Sequence, residues 1–230
     1  MNTSNTPFAV DGLTPIAEQN PEVRRYDTVV PIRSLGENHR GRIERHLCAL
    51  DARDRYLRFG YAASDEAIRQ YVEALDFDND EIFGIYNRNL ELIATAHLAY
   101  SLDRGVHASA EFGVSVLPKA RGRGYGTRLF ERAMMHARNQ NIRKLYVHVL
   151  AENQAMLAIA RNAGATIECD GHEAQGCLLL PPPTLDTRLA EIVEEHTAQI
   201  NYRIKEQGRQ LRDALDQWQR LWRVTTSRAD

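Results

Sequence analysis

The chain has 230 residues, 43% hydrophobic and 26% charged, a balance that excludes a wholly disordered or fibrous protein and suffices to bury a core without staples. Its 29 Lys and Arg against 31 Asp and Glu leave a net charge of -2, so no global electrostatic footprint points to nucleic acid. No apolar run approaches the length of a membrane span, and the first thirty residues lack the basic start and apolar stretch of a signal peptide. Cys48, Cys169 and Cys177 are odd in number and scattered, which argues against a disulfide framework and a structural zinc site and makes a reducing cytoplasm the expected setting.

Taken in order, residues 1–27 are rich in Asn, Thr, Pro and Glu without periodicity and read as a loose lead-in. A short β-rich run at 28–32 predicts a first strand, and Ile43, Leu47 and Leu50 on one face predict a helix over 40–50. The mixed-charge run 51–58 carries no element of its own in this reading. Ser64 is a suitable N-cap for a second helix ending near Leu75, with Asp65 and Glu66 complementing its dipole. Strands follow at 82–86 and 90–100, joined by the turn Asn87-Arg88-Asn89, and again at 108–116, stopped by Pro118. The order then alternates: a helix over 127–139, a strand over 144–150, a helix over 153–162 ended by Gly164, and strands at 165–169 and 176–180 around Asp170-Gly171. Three prolines at 181–183 are a hard stop. An antiparallel start followed by alternating elements predicts an α/β fold with a mixed sheet.

The charge balance hides an asymmetry. Between residues 117 and 144, Lys119, Arg121, Arg123, Arg128, Arg132, Arg138, Arg143 and Lys144 face only Glu131, so this segment carries +7 within a chain of -2. Such a stretch is either a solvated helix face or the seat of one anionic ligand. Within it, Arg121-Gly122-Arg123-Gly124-Tyr125-Gly126-Thr127 places three glycines between a strand and a helix, where the backbone approaches a ligand closely and first-turn amides point at phosphate. A Walker loop needs Lys and Ser or Thr after its last glycine, and Thr127-Arg128 does not supply them. A dinucleotide fingerprint needs glycine where Thr127 stands.

The loop resembles instead the acetyl-CoA signature of the GNAT superfamily of N-acetyltransferases: Arg or Gln, two residues, Gly, one residue, Gly or Ala. Arg121, Gly124 and Gly126 match it, after the lead-in Val116-Leu117-Pro118. A second family signature matches at Val149, Asn153 and Gly164, and the resemblance spans roughly 28–180. It implies a GNAT domain over 28–183 with a splayed pair of central parallel strands. CoA would lie in the splay, its pantetheine along Val114 and Val116, its pyrophosphate on the amides of Gly122 to Thr127 with Arg121 and Arg123 beside it. Asn153 would either contact the pantetheine arm or sulfur, cap its helix, or both. No metal is implied.

Acetyl transfer to an amine of pKa near ~10.4 requires a base. Glu111, a carboxylate on a central apolar strand, is the candidate, and burial would raise its pKa into a useful range. Its alternatives are an edge carboxylate paired with an arginine, or a base role for His97 or His148. A backbone amide of the strand ending at Val116 would donate to the thioester oxygen. Many family members place a proton-donating Tyr seven residues after the signature Asn, where this chain has Ala160, so that role is not carried over. Ala110-Glu111-Phe112 and the stretch from Asn153 to Ala160 are similar to the GNAT domains of bacterial protein-lysine acetyltransferases, in which a strand Glu is the base. The implied reaction is direct transfer from acetyl-CoA to a primary amine, of a protein lysine or a small molecule. The rival reading is a catalytically silent acyl-CoA-binding module that acts through its tail.

The resemblance puts the acceptor side at 40–80, with Tyr56, Arg58, Phe59, Tyr61, Tyr71 and Phe77; the acidic run Glu73, Asp76, Asp78, Asp80 and Glu81 either attracts a cationic amine or is a solvated loop. Residues 184–230 form the tail, one long amphipathic helix over 185–224. Leu189, Ile192, Val193, Ile200, Ile204, Leu211, Leu215, Trp218 and Trp222 make its stripe, and Gly208 is a candidate bend. The stripe packs on its own domain, on a partner or on a second copy, the last making a homodimer; its mixed charges argue against membrane attachment.

Overall fold

The computed structural model describes residues 30–101 and 108–226, and the side chains of the final helix as far as residue 206. The expected lead-in 1–27 lies outside the described residues, as do the side chains of Leu211, Leu215, Trp218 and Trp222. Elements run in the order β1 (Ile32–Ser34), α1 (Arg40–Cys48), α2 (Ala52–Phe59), α3 (Asp65–Glu73), β2 (Glu81–Tyr86), β3 (Leu92–Tyr100), β4 (Ser109–Val116), α4 (Tyr125–Asn139), β5 (Lys144–Leu150), α5 (Gln154–Asn162), β6 (Thr166–Asp170), β7 (Glu173–Leu179) and α6 (Leu185–Thr226). The first strand begins at Ile32, where the sequence placed its end, and the 51–58 run is a helix that composition did not reveal. Asp51 caps α2 by accepting the Asp54 amide, and Gly60, at φ +79°, ends it.

One seven-stranded sheet has the order β1-β2-β3-β4-β5-β7-β6, and every neighbouring pair is antiparallel except β4 with β5. That parallel ladder holds only Ser109–Lys144, Ala110–Leu145 and Glu111–Tyr146, after which the strands part: this is the expected splay. Alternation along β4 sorts its residues. Ala110 and Phe112 are buried with α4, where the Phe112 and Phe130 rings meet edge to face at 5.0 Å. Gly113 and Ser115 face the layer of α1 to α3, whose core joins Ile43, Leu47, Ile68 and Val72 to Ile82 and Leu92.

The final helix is continuous through Gly208, as the one long helix expected, and lies along β1 and α4. It docks by a face other than its apolar stripe. Ala198 and Tyr202 are buried, with Arg33 stacked on the Tyr202 ring at 3.7 Å. Arg132 of α4, almost wholly buried, reaches Glu191 at 2.7 Å and Glu195 at 3.2 Å, with Glu194 at 3.7 Å. Burial alone would push the Glu191 carboxyl up, but hydrogen bonds from His136, Asn139 and Arg132 outweigh it and hold the group at about 2. Leu185, Leu189, Ile192, Val193, Ile200 and Ile204 are exposed. Among the described residues, no helix is long and apolar enough to cross a membrane.

Candidate functional site

A cavity of about 1100 Å³ opens where β4 and β5 part. The N-terminus of α4 and its glycine loop close one end, β6 and β7 form a wall, and α2 lies across the front. Gly122 and Gly124 sit at φ +72° and +73°, in the left-handed region that glycine enters without strain. No atom lies within 4 Å of where a Cβ would stand on either, so the cradle is open. Gly124 is also the N-cap of α4 and brings no side-chain acceptor, which leaves first-turn amides for an anion. These are the features of an anion cradle. Ten of the eleven site residues expected from sequence line this cavity: Glu111, Val114, Val116, Arg121, Gly122, Gly124, Tyr125, Gly126, Thr127 and Asn153. Arg123 is exposed and lies outside its lining. The basic segment is dispersed as well. Arg132 is spent on the tail, Arg138 donates to the Pro182 carbonyl, and Lys119 pairs with Glu91 at 3.1 Å.

Asn153 caps α5, its Oδ1 accepting the Met156 amide at 3.2 Å, while its Nδ2 points at the Leu57 carbonyl of α2 at 3.5 Å. Arg53 pairs with Glu152 at 3.5 Å, and the nearly buried Asp54 pairs with Arg121 of the glycine loop. The helix missed in the sequence is therefore the element that joins the loop to α5. Its Arg58 guanidinium lies flat on β4: a Cβ on Gly113 would stand only 2.7 Å from Cζ and Nη2. Ser115, next along that face, donates to Nε2 of His46 at 2.8 Å, while His46 Nδ1 donates to the Leu92 carbonyl at 2.9 Å. Burial lowers the His46 pKa to about 4 against the pull of those bonds, and the charge of Arg58 adds to the lowering.

Glu111 stands at the point of divergence, but it is not buried. Its side chain is 58% exposed, so the expectation of a carboxylate desolvated inside the sheet is corrected: beside it His148 of β5 is also half exposed, and α2 does not bury the pair. Its partner is His148 Nδ1 at 3.4 Å, rather than an arginine. His97 does not reach the cavity: it bridges Tyr71 and Asp80. None of the acidic run from Glu73 to Glu81 lines the cavity either. Asp76 accepts from the amides of Asp78 and Asn79, and Asp80 holds His97. Other carboxylates, Glu168, Asp170 and Glu173, line the β6–β7 side instead. Ala160 is fully buried in the core behind the sheet.

Residues 47–165 match a family model described as the acetyltransferase (GNAT) family. Solved structures share this fold at low identity. The GNAT domain of S. lividans PAT is 21% identical with a TM-score of 0.56, covering 65% of this chain and 89% of that one. An acetyltransferase of GNAT family from Streptococcus pneumoniae is 15% identical with a TM-score of 0.52, covering 65% and 98%. Spermidine N-acetyltransferase from Vibrio cholerae, solved in complex with CoA and spermine, is 20% identical with a TM-score of 0.52, covering 64% and 94%. No curated protein matches the chain significantly.

Proposed function

The chain belongs to the GNAT acetyltransferase family, and from that premise we propose that it moves an acetyl group from acetyl-CoA directly to a primary amine, of a small molecule or a protein lysine, with Glu111 as general base. The observation that carries the reading is the position of Glu111, at the lip of the cavity where the parallel ladder ends, with its carboxylate open to an arriving ligand. Acetyl-CoA, when bound, supplies the activated acyl group. The amides of Gly122 to Thr127 hold its pyrophosphate at the N-terminus of α4. The backbone of Val114 and Val116 orients its pantetheine arm, and a β4 amide donates to the thioester oxygen. Glu111 accepts the amine proton, directly or through a water, so that the nitrogen lone pair is free to attack the thioester carbonyl; the C–S bond then breaks, and the CoA thiolate leaves and takes a proton from water or the one removed from the amine. His148 Nδ1 stands 3.4 Å from the carboxylate, on the neighbouring strand. The three free cysteines accord with a cytoplasmic setting.

Release of free CoA thiol from acetyl-CoA over a panel of amines and lysine peptides tests the activity. Glu111→Gln should lower turnover by roughly two to four decades, the usual worth of general-base catalysis, with acetyl-CoA binding kept. A variant that turns over like the parent would move the base role to His148 or to water. Acetyl-CoA binding without thiol release, for any acceptor, would favour the silent module, a reading kept by the buried Ala160 where many family members carry a Tyr.

A further inference from the structure

Two residues lining the cavity carry a fixed positive charge, Arg121 and Arg58. Arg121 is matched by Asp54. Among the described residues no carboxylate lies within ion-pair distance of Arg58. Its Nη2 donates to the Tyr71 hydroxyl at 2.9 Å, and its guanidinium stacks near the rings of Phe59 and Tyr71, at 5.2 and 5.5 Å. The Tyr71 hydroxyl, having accepted from Arg58, gives its own proton to His97 Nδ1 at 2.8 Å, and His97 Nε2–H then donates to Asp80 at 3.0 Å. This chain of bonds fixes the guanidinium without using its remaining donors. Glycine at 113 is what allows it to lie against the strand, since any Cβ would displace it.

We propose that Arg58 recognises a carboxylate on the acceptor, so that the amine acetylated here belongs to a small zwitterion of amino-acid type; the proposal rests on the acetyltransferase reading above. Glu111 and Gly113 are two residues apart on one face of β4, about 7 Å along the strand. A base at the first position and an anion receptor over the second are spanned by a molecule whose amine and carboxylate are a few carbons apart. The charges across the mouth point the same way. Glu168, Asp170 and Glu173 line the opposite wall, so an ammonium is drawn towards Glu111 and that wall, and a carboxylate is left with Arg58. A guanidinium with free donors in fixed geometry is the side chain suited to forked recognition of a carboxylate.

Calorimetry on the full chain with CoA present, so that no turnover occurs, compares matched pairs: L-phenylalanine with phenethylamine, L-lysine with cadaverine, and β-alanine with ethylamine. The amino acid of at least one pair should bind at least tenfold tighter than its decarboxylated partner. Arg58→Gln should bring that pair to within about twofold, and Arg58→Lys should restore part of the difference, which a merely structural pin for α2 would not do. If Arg58→Gln does not fold, the comparison within the parent protein decides alone. Equal binding within every pair, including no binding by either member, overturns the proposal, as does selectivity that survives Arg58→Gln. The two readings fail separately. Thiol release with amines that lack a carboxylate keeps the acetyltransferase and removes the Arg58 assignment; selective zwitterion binding without any thiol release keeps Arg58 and removes the acetyltransferase.

Discussion

Acidification from pH 7 to pH 5 should cost this fold about 2 kcal/mol through one side chain, His46. The imidazole is buried between α1 and β4, its two nitrogens committed to the Leu92 carbonyl and the Ser115 hydroxyl. Desolvation lowers its pKa from 6.5 to about 4. Above 6.5 both the folded and the unfolded chain hold it neutral, and its contribution is complete. As pH falls below 6.5 the unfolded chain takes up a proton that the folded chain refuses until about 4, so stability is lost across that window. His39, lowered by burial and by Arg33, acts in the same direction, whereas Glu191 loses its contribution only as pH falls from 4.5 towards about 2. A difference measurement isolates His46. Urea denaturation followed by far-UV circular dichroism at pH 7, 6 and 5, on the parent and on His46→Gln, which keeps a donor and an acceptor, should show the parent losing about 2 kcal/mol more than the variant. Parallel losses in the two proteins would refute the reasoning.

Gly124→Glu combines a side chain at φ +73° with a negative charge in the phosphate cradle, and calorimetry should show acetyl-CoA affinity reduced at least tenfold, about 1.4 kcal/mol. Arg132→Ala leaves Glu191, Glu194 and Glu195 without their shared cation; chemical denaturation should register a loss of about 3 kcal/mol, and a change under 1 kcal/mol would show that the tail is held by its other contacts. The exposed stripe from Leu185 to Ile204 is proposed to pair with that of a second copy. Light scattering should then give a dimer for the full chain and a monomer for a chain ending at Pro183, and a full-length monomer at micromolar concentration contradicts the pairing.

What sequence reasoning found and missed divides along physical lines. The glycine loop, the Asn153 cap and the central strands β2 to β5 are encoded locally, by conformational preference and short-range periodicity, and they lie within two residues of where that pattern puts them, whereas β1 begins where its predicted run ended and β7 starts three residues early. Helix α2 has no such code: its face reads as alternating charge. It is held by the Asp51 cap and by Arg55, which donates to the carbonyls of Cys48, Leu50 and Ala63 and pairs with Asp65. The Asp51 cap and the terminal Gly60 were the available signals. The exposure of Glu111 depends on how far the helical layer reaches over β4 and β5, a property of the assembled layers. The face by which the tail docks was not legible either. Ala198, Tyr202 and a row of carboxylates dock on the domain, because β1, α1 and α4 offer Arg33, Arg42 and Arg132, and the most apolar stripe stays outside.

The short ladder between β4 and β5 leaves this sheet with an edge on its inside. Outer edges are guarded by cover, as α6 covers β1 here. The inner edge runs along Phe112 to Val116 and Val147 to Leu150, where β4 and β5 face each other without pairing. Half of the backbone groups on each strand turn towards that gap. A sheet in this condition is one strand short, and in the proposed function the missing strand is the extended arm of the ligand. Lengthening the β4–β5 ladder would therefore make the fold more complete and the protein useless. The gap is a vacancy in the hydrogen-bond order, and ligand that fills it adds stability as the logarithm of one plus the ratio of its free concentration to its Kd.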